Sequence, residues 1–208
     1  MKNTSYDTSS PSVEQYQALQ DAFNYFNSEL FNDELPQVMF MLQRKKGTHG
    51  YFWAESYAQG DQKLDEIGLH PASFDRGDMH VMGTLVHEMC HLWQAHYGKP
   101  SRSGYHNKEW AEKMEEVGLT PKSVPLGKRT GQRCTHEVDV DGDFKVSADR
   151  YLATHKVINW LGRDWISKSN ANKKLKIAYE CPCGNKVWGK SGLDVVCGDC
   201  EESYTEQA

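Results

Sequence analysis

The chain has no long apolar run, and its mean hydropathy of −0.74 argues against a membrane span. Residues 1–12, MKNTSYDTSSPS, lack the apolar stretch of a secretory leader, so a cytoplasmic location is expected. An excess of basic residues is missing too. With 24 Lys+Arg against 29 Asp+Glu the formal net charge is −5, which excludes a globally basic nucleic-acid binder. Cysteine is sparse, six in 208 residues, and in a reducing compartment these read as metal ligands or buried thiols rather than disulfides. What is present, 38% hydrophobic and 11% aromatic residues, suffices for one ordinary domain with a small appendage, expected to be monomeric.

Residues 84–97, TLVHEMCHLWQAHY, carry an amphipathic helical pattern with Leu85, Val86, Met89, Leu92 and Trp93 on its apolar side and no Gly or Pro inside. Four residues at about 100° each bring His91 to roughly 40° from His87, so the two imidazoles stack one turn apart on one face. Glu88 lies beside them. This H-E-x-x-H arrangement suits a catalytic Zn²⁺ held by two histidines, with a carboxylate that takes a proton from the attacking water. Cys90 points off that face and reads as a buried thiol.

A third ligand is required. The compact pattern H-E-x-x-H-x-x-G-x-x-H is excluded, because Gln94 and Tyr97 stand where it needs Gly and His. Downstream, the loop KPSRSG at 99–104 leads to a second helical pattern at 105–119, YHNKEWAEKMEEVGL, with Trp110, Met114 and Val117 on one side. His106, Glu109 and Glu112 all qualify as the third ligand, and spacing alone does not choose among them.

HEMCHLWQ followed by GYHNKEWAEKMEEVGL resembles the SprT-like family of zinc metallopeptidase domains, as do LFNDELP at 30–36, GYF at 50–52 and TGQRCTHEV at 130–138. The resemblance implies that a His opening the second helix is the third ligand, which favours His106. It also implies a metalloprotease, in one branch directed at proteins crosslinked to DNA.

Elsewhere, apolar residues at Tyr16, Leu19, Phe23, Phe26 and Leu30 predict a first helix over 12–31, with Ser12 as N-cap and Gln15 completing a capping box. Short strands are expected over 38–42, 51–57 and 65–69, forming an antiparallel sheet that backs the site helix. One of the latter two strands would align a peptide substrate along its edge. Residues 74–80 read as a loop, with His80, His49, His70 and His96 on the surface, and residues 120–133 as another. Cys134 to Val140 alternates and meets Asp141-Gly142, a hairpin signal, ahead of a strand at 144–146 and partly helical residues 147–165. The DVDGD run is not a calcium loop: counted from Asp139, Gly falls at position four and position twelve is Arg150. Cys134 and His136 read as packing and polarity rather than as ligands.

At the C-terminal end Cys181 and Cys183, then Cys197 and Cys200, form two knuckles thirteen residues apart, with Gly184 and Gly198 at tight positions beside them. A structural zinc ribbon is expected, packed around Trp188 and residues 195–196. Lys168, Lys173, Lys174, Lys176 and Lys186 make the approach to it locally basic, a solvated face or a contact with DNA phosphates.

The fold class expected is therefore α+β. A zincin-like metallopeptidase core at 12–125 (helix, three-stranded antiparallel sheet, H-E-x-x-H helix, second ligand helix) follows a flexible 1–11. A hairpin and helical connection at 126–176 then leads to a β zinc ribbon at 177–208. The expected function is a zinc-dependent endopeptidase, one zinc catalytic and one structural, with Glu88 as base and His87, His91 and His106 as ligands. Tyr105, Tyr151 and His155 are candidates for steadying the oxyanion. Its substrate would be protein, including protein bound or crosslinked to DNA. The rival is a nucleic-acid-associated ribbon protein whose peptidase site is structural or inactive, a role that would not need the acid at Glu88.

Overall fold

The computed structural model describes residues 10–45, 47–161 and 177–207. The chain divides into two compact units, Met1–Arg163 and Asp164–Ala208. Residues 162–176, with Lys168, Lys173, Lys174 and Lys176, lie outside the described residues.

Helix α1 spans Pro11–Phe31 and starts earlier than the capping-box reading predicts. Ser10 is the N-cap, its hydroxyl accepting from the Val13 amide, and Pro11 occupies a first-turn position where its missing N–H costs nothing. Gln15 is thereby released from capping. Its buried side chain donates to the Val157 carbonyl and accepts from the amides of Asn159 and Trp160. Asn32, left-handed at φ 54°, ends the helix with its N–H on the Asn27 carbonyl.

Strands β1 (Val38–Leu42), β2 (Gly50–Gln59) and β3 (Gln62–Leu69) form one sheet in the order β1-β3-β2. The antiparallel expectation is corrected here, because β1 pairs with β3 in parallel and only β2 is antiparallel to it. The turn at Gly60, φ +60°, joins β2 and β3 directly as a hairpin, which leaves β1 the far edge of β3. That edge is worth covering: Asp65 to Leu69 is buried without alternation, as in a strand covered on both faces. Phe40 meets Phe23 of α1 edge to face at 5.8 Å.

A 3-10 turn, Pro71–Arg76, begins with the His70 ring accepting from the Ala72 amide. Helix α2 then spans Asp78–Tyr97, so most of the expected loop at 74–80 is structured. Its extra N-terminal turns bury Val81 and Met82 in the same core as Leu85, Val86 and Met89. The carboxylate of Asp78 accepts from the amides of Val157 and Ile158.

Helix α3, Lys108–Glu116, is shorter than its apolar pattern, since Asn107 caps it by accepting from the Trp110 amide. Strands β4 (Leu119–Ser123) and β5 (Cys134–Val138) pair antiparallel across residues read as loop, so β5 finds its partner upstream rather than at 144–146. Asp141-Gly142 leads instead into helix α4, Asp143–Leu152. Phe144, Ala148 and Tyr151 recur at spacings of four and three and are buried, which fixes a helix there, with Phe144 5.7 Å from Phe26 of α1.

In the second unit β6 (Ile177–Glu180) lies between β7 (Lys186–Gly189) and β8 (Thr205–Glu206), antiparallel to both. Tyr179 fills its interior, donating to the Lys190 carbonyl and accepting from the Leu193 amide. Trp188, expected to pack around the ribbon, is 63% exposed, and Val196 is 60% exposed. Trp188 pairs with Ala178, one register position from the inward-facing Tyr179, and alternation turns it outward. Among the described residues no helix is long and apolar enough to cross a membrane.

Candidate metal centre

Two elements and a bridge build the site. Helix α2 supplies His87 and His91, whose rings lie 5.3 Å apart between centroids. His106 stands just ahead of α3, held by reciprocal backbone hydrogen bonds with Gly131 of the β4–β5 connection. Its ring is 5.4 Å from that of His87 and 4.8 Å from that of His91. One nitrogen from each of the three falls within 4.8 Å of the others. Trp110, wholly buried, floors the group with its ring 4.4 to 5.0 Å from all three imidazoles.

The other candidates for a third ligand are engaged elsewhere. Glu109 accepts from the Gln94 amide group at 2.7 Å and the Lys99 backbone at 2.6 Å, tying α3 to the end of α2. Glu112 is exposed and pairs with Lys108. Tyr151 and His155 stack on each other, Tyr151 lying 4.8 Å from Tyr25 of α1, and Tyr105 sits under Arg102.

The histidines are prepared to donate lone pairs. Burial, reinforced by neighbouring imidazoles, pushes His87 well below the ordinary histidine range and His91 down to about 3. Burial also lowers His106, partly opposed by its hydrogen bond to Gly131. That bond, Nδ1–H to the Gly131 carbonyl at 3.1 Å, leaves Nε2 as the free lone pair of His106. Neutral, converging imidazoles without a charged partner are the donor set that a divalent zinc ion takes, and the residues present fit it.

Glu88 is 5% exposed, and burial pushes its carboxyl up to about 8, with Lys45 acting weakly the other way. It lies against the start of β2, where a Cβ on Gly50 would come 2.8 Å from Glu88 Oε1 and from Thr84 Cγ2. Glycine at 50 therefore makes room for the carboxylate, a role that only the folded contact reveals. A fourth histidine, His136 of β5, approaches from the other side, its Nδ1 3.3 Å from Nδ1 of His87.

The remaining histidines only partly keep to the surface. His96 pairs with Asp65 at 2.6 Å, His70 caps the 3-10 turn, and His80 has a buried Nε2 with no partner among the described residues. The ring of exposed His49 lies 5.1 Å from that of His80. Cys90 is buried and its thiol is pushed up by burial, an inert group.

In the second unit Cys181, Cys183, Cys197 and Cys200 converge, one sulfur of each within 4.8 Å of the rest. Gly184, at φ +90°, lets the chain turn back sharply after Cys183. Amides of Asp199 and Cys200 hold Cys197 down to about 5, a thiolate, while Cys183 is pushed up to about 12 by sharing a hydrogen bond with Cys181. Four thiols around one point, with backbone amides favouring the ionised form of Cys197, fit a structural zinc.

A family model described as the SprT-like family matches residues 19–130. Among curated proteins, an uncharacterised protein in the mucB 3′ region of Salmonella typhimurium is 49% identical over 41 residues, 20% of this chain and 55% of that protein. The chain thus spans about half the length of that relative. No solved structure matches.

Proposed function

Because the chain belongs to the SprT-like family, we propose that it is a zinc-dependent metalloendopeptidase whose substrates are proteins bound or crosslinked to DNA. The observation that carries the peptidase reading is Glu88, a buried carboxylate one residue from a cluster of three neutral histidines and packed against the edge strand β2.

His87, His91 and His106 would hold the catalytic zinc, which when bound supplies Lewis acidity to the scissile carbonyl and acidity to water. Ionised in the field of a bound divalent cation, which offsets its burial, Glu88 takes a proton from the attacking water and delivers it to the departing amide nitrogen. Its low exposure keeps bulk water from competing for that proton. β2, at the edge of the sheet, would align an extended peptide beside Glu88 by main-chain hydrogen bonds. The four cysteines would hold a second zinc that completes the small C-terminal unit, whose few apolar residues make a small core.

A nucleic-acid-binding module with an inactive peptidase site is the second reading, favoured by exposed Trp188 on the same strand as Lys186. An exposed aromatic beside a lysine suits stacking on an unpaired base.

The deciding experiment compares wild type with Glu88→Gln, both loaded with about two zinc ions per chain, on a DNA-binding protein with and without single- or double-stranded DNA. A loss of at least about 100-fold in Glu88→Gln, with cleavage by wild type rising on DNA, is expected. Equal cleavage by the two proteins would refute the role of Glu88. DNA binding without cleavage by either would favour the second reading.

A further inference from the structure

The zinc-site histidines differ in what holds their second nitrogen. His106 has a backbone carbonyl, which can only accept, so its ring is fixed with the proton on Nδ1. His87 has another imidazole. Its Nδ1 faces Nδ1 of His136 at 3.3 Å, with ring centroids 5.4 Å apart. A hydrogen bond between two ring nitrogens needs one donor and one acceptor, and either assignment is possible for the isolated pair.

Zinc binding at this cluster breaks the tie. Nδ1 of His87 is occupied by His136, so the nitrogen left for a metal is Nε2. If His87 accepted the bond, its own proton would sit on Nε2 and block ligation. If His87 donates, Nε2 carries the lone pair and His136 accepts on Nδ1.

A second observation shows that the fold makes a place for this contact. Gly83 stands one turn before His87 on α2, and a Cβ there would meet His136 Nε2 at 2.8 Å. Glycine inside a helix costs about 1 kcal/mol relative to alanine, and here it lets the His136 ring lie across the helix backbone. β5 carries His136 in register with Pro121 of β4, so the ring is delivered by a paired strand rather than a loose loop.

We propose that His136 is a positioning residue of the zinc site, accepting the Nδ1–H of His87 to fix the tautomer and ring orientation of that ligand, and that Gly83 is glycine to admit it. The proposal rests on the three-histidine reading above. Partners of this kind commonly change metal affinity by about 10- to 100-fold when removed. His136 acts through His87, whose ring it faces, with Gly83 of α2 leaving room for it.

The test is zinc affinity measured by chelator competition on the full-length chain, with the four-cysteine site as internal reference. His136→Phe keeps a ring but removes the acceptor, whereas His136→Asn places Oδ1 near the position of Nδ1. The histidine site should weaken about 10- to 100-fold in His136→Phe and Gly83→Ala, and return to within about threefold of wild type in His136→Asn, with the cysteine site unchanged throughout. In the cobalt-substituted protein the d–d bands of the histidine site should shift in His136→Phe and recover in His136→Asn. His136→Phe binding as tightly as wild type overturns the proposal, as does equal weakening in His136→Phe and His136→Asn, which would make the ring's bulk the relevant property. Wild type holding zinc at the cysteine site alone would remove the underlying three-histidine reading, a failure distinguishable from loss of the His136 role alone.

Discussion

At the scale of single residues, the site is governed by what burial does to charge. Glu88 has its carboxyl raised to about 8 from an ordinary 4.5, so the folded, zinc-free chain holds this proton more tightly than the unfolded chain does. The resulting stability is full below pH 4.5 and is lost as pH rises toward about 8. The histidines act oppositely: His91, lowered to about 3 from 6.5, contributes stability that is full above pH 6.5 and is lost as pH falls toward 3. Between about pH 7 and 8 only the Glu88 effect remains between these two. Denaturant unfolding of zinc-free protein should therefore show stability falling across that window in wild type and a flatter profile in Glu88→Gln; parallel profiles would contradict the burial of this carboxyl. The H-E-x-x-H triplet was legible because its contacts are local, one helical turn, and period alone places them. Gly50, Gly83 and His136 were not, because each matters through a neighbour from another element, and a lone Gly or His carries no sign of which neighbour that will be.

At the scale of elements, the sequence errors share a cause. Strand β3 reads only as a third short strand with Asp65 and Glu66 in it, and its unbroken burial, which marks it as the central strand, appears only when its neighbours cover it. The Asp141-Gly142 pair carries hairpin chemistry, yet the chain behind it packs Phe144, Ala148 and Tyr151 into the shared core, and that burial outweighs the local turn preference. Gly142 serves a different close approach: a Cβ there would lie 2.9 Å from Gly118 Cα, so two glycines let the backbones before α4 and after α3 touch. Phe144 is fully buried against Phe26, and Phe144→Ala should lower the unfolding free energy of the first unit by about 3 to 5 kcal/mol. A change below about 1 kcal/mol in chemical denaturation would mean that α4 is peripheral to that core.

At the scale of the whole molecule, two candidate metal sites stand in two separate units, and their failures should be separable. Cys197→Ser removes the thiolate that neighbouring amides already favour. Zinc content should fall from about two ions to about one per chain, Glu88-dependent cleavage of a short unstructured peptide should persist, and any acceleration by DNA should vanish. Loss of peptide cleavage together with the ribbon zinc would instead make the small unit part of the catalytic one. How the chain leaves the first unit bears on this. Residues 157–160 are clasped by side chains, Gln15 of α1 holding Val157, Asn159 and Trp160, and Asp78 of α2 holding Val157 and Ile158. One of the two anchors of that clasp is the opening turn of the helix that carries His87, Glu88 and His91, so a pull on residues 157–158 is a pull on that turn.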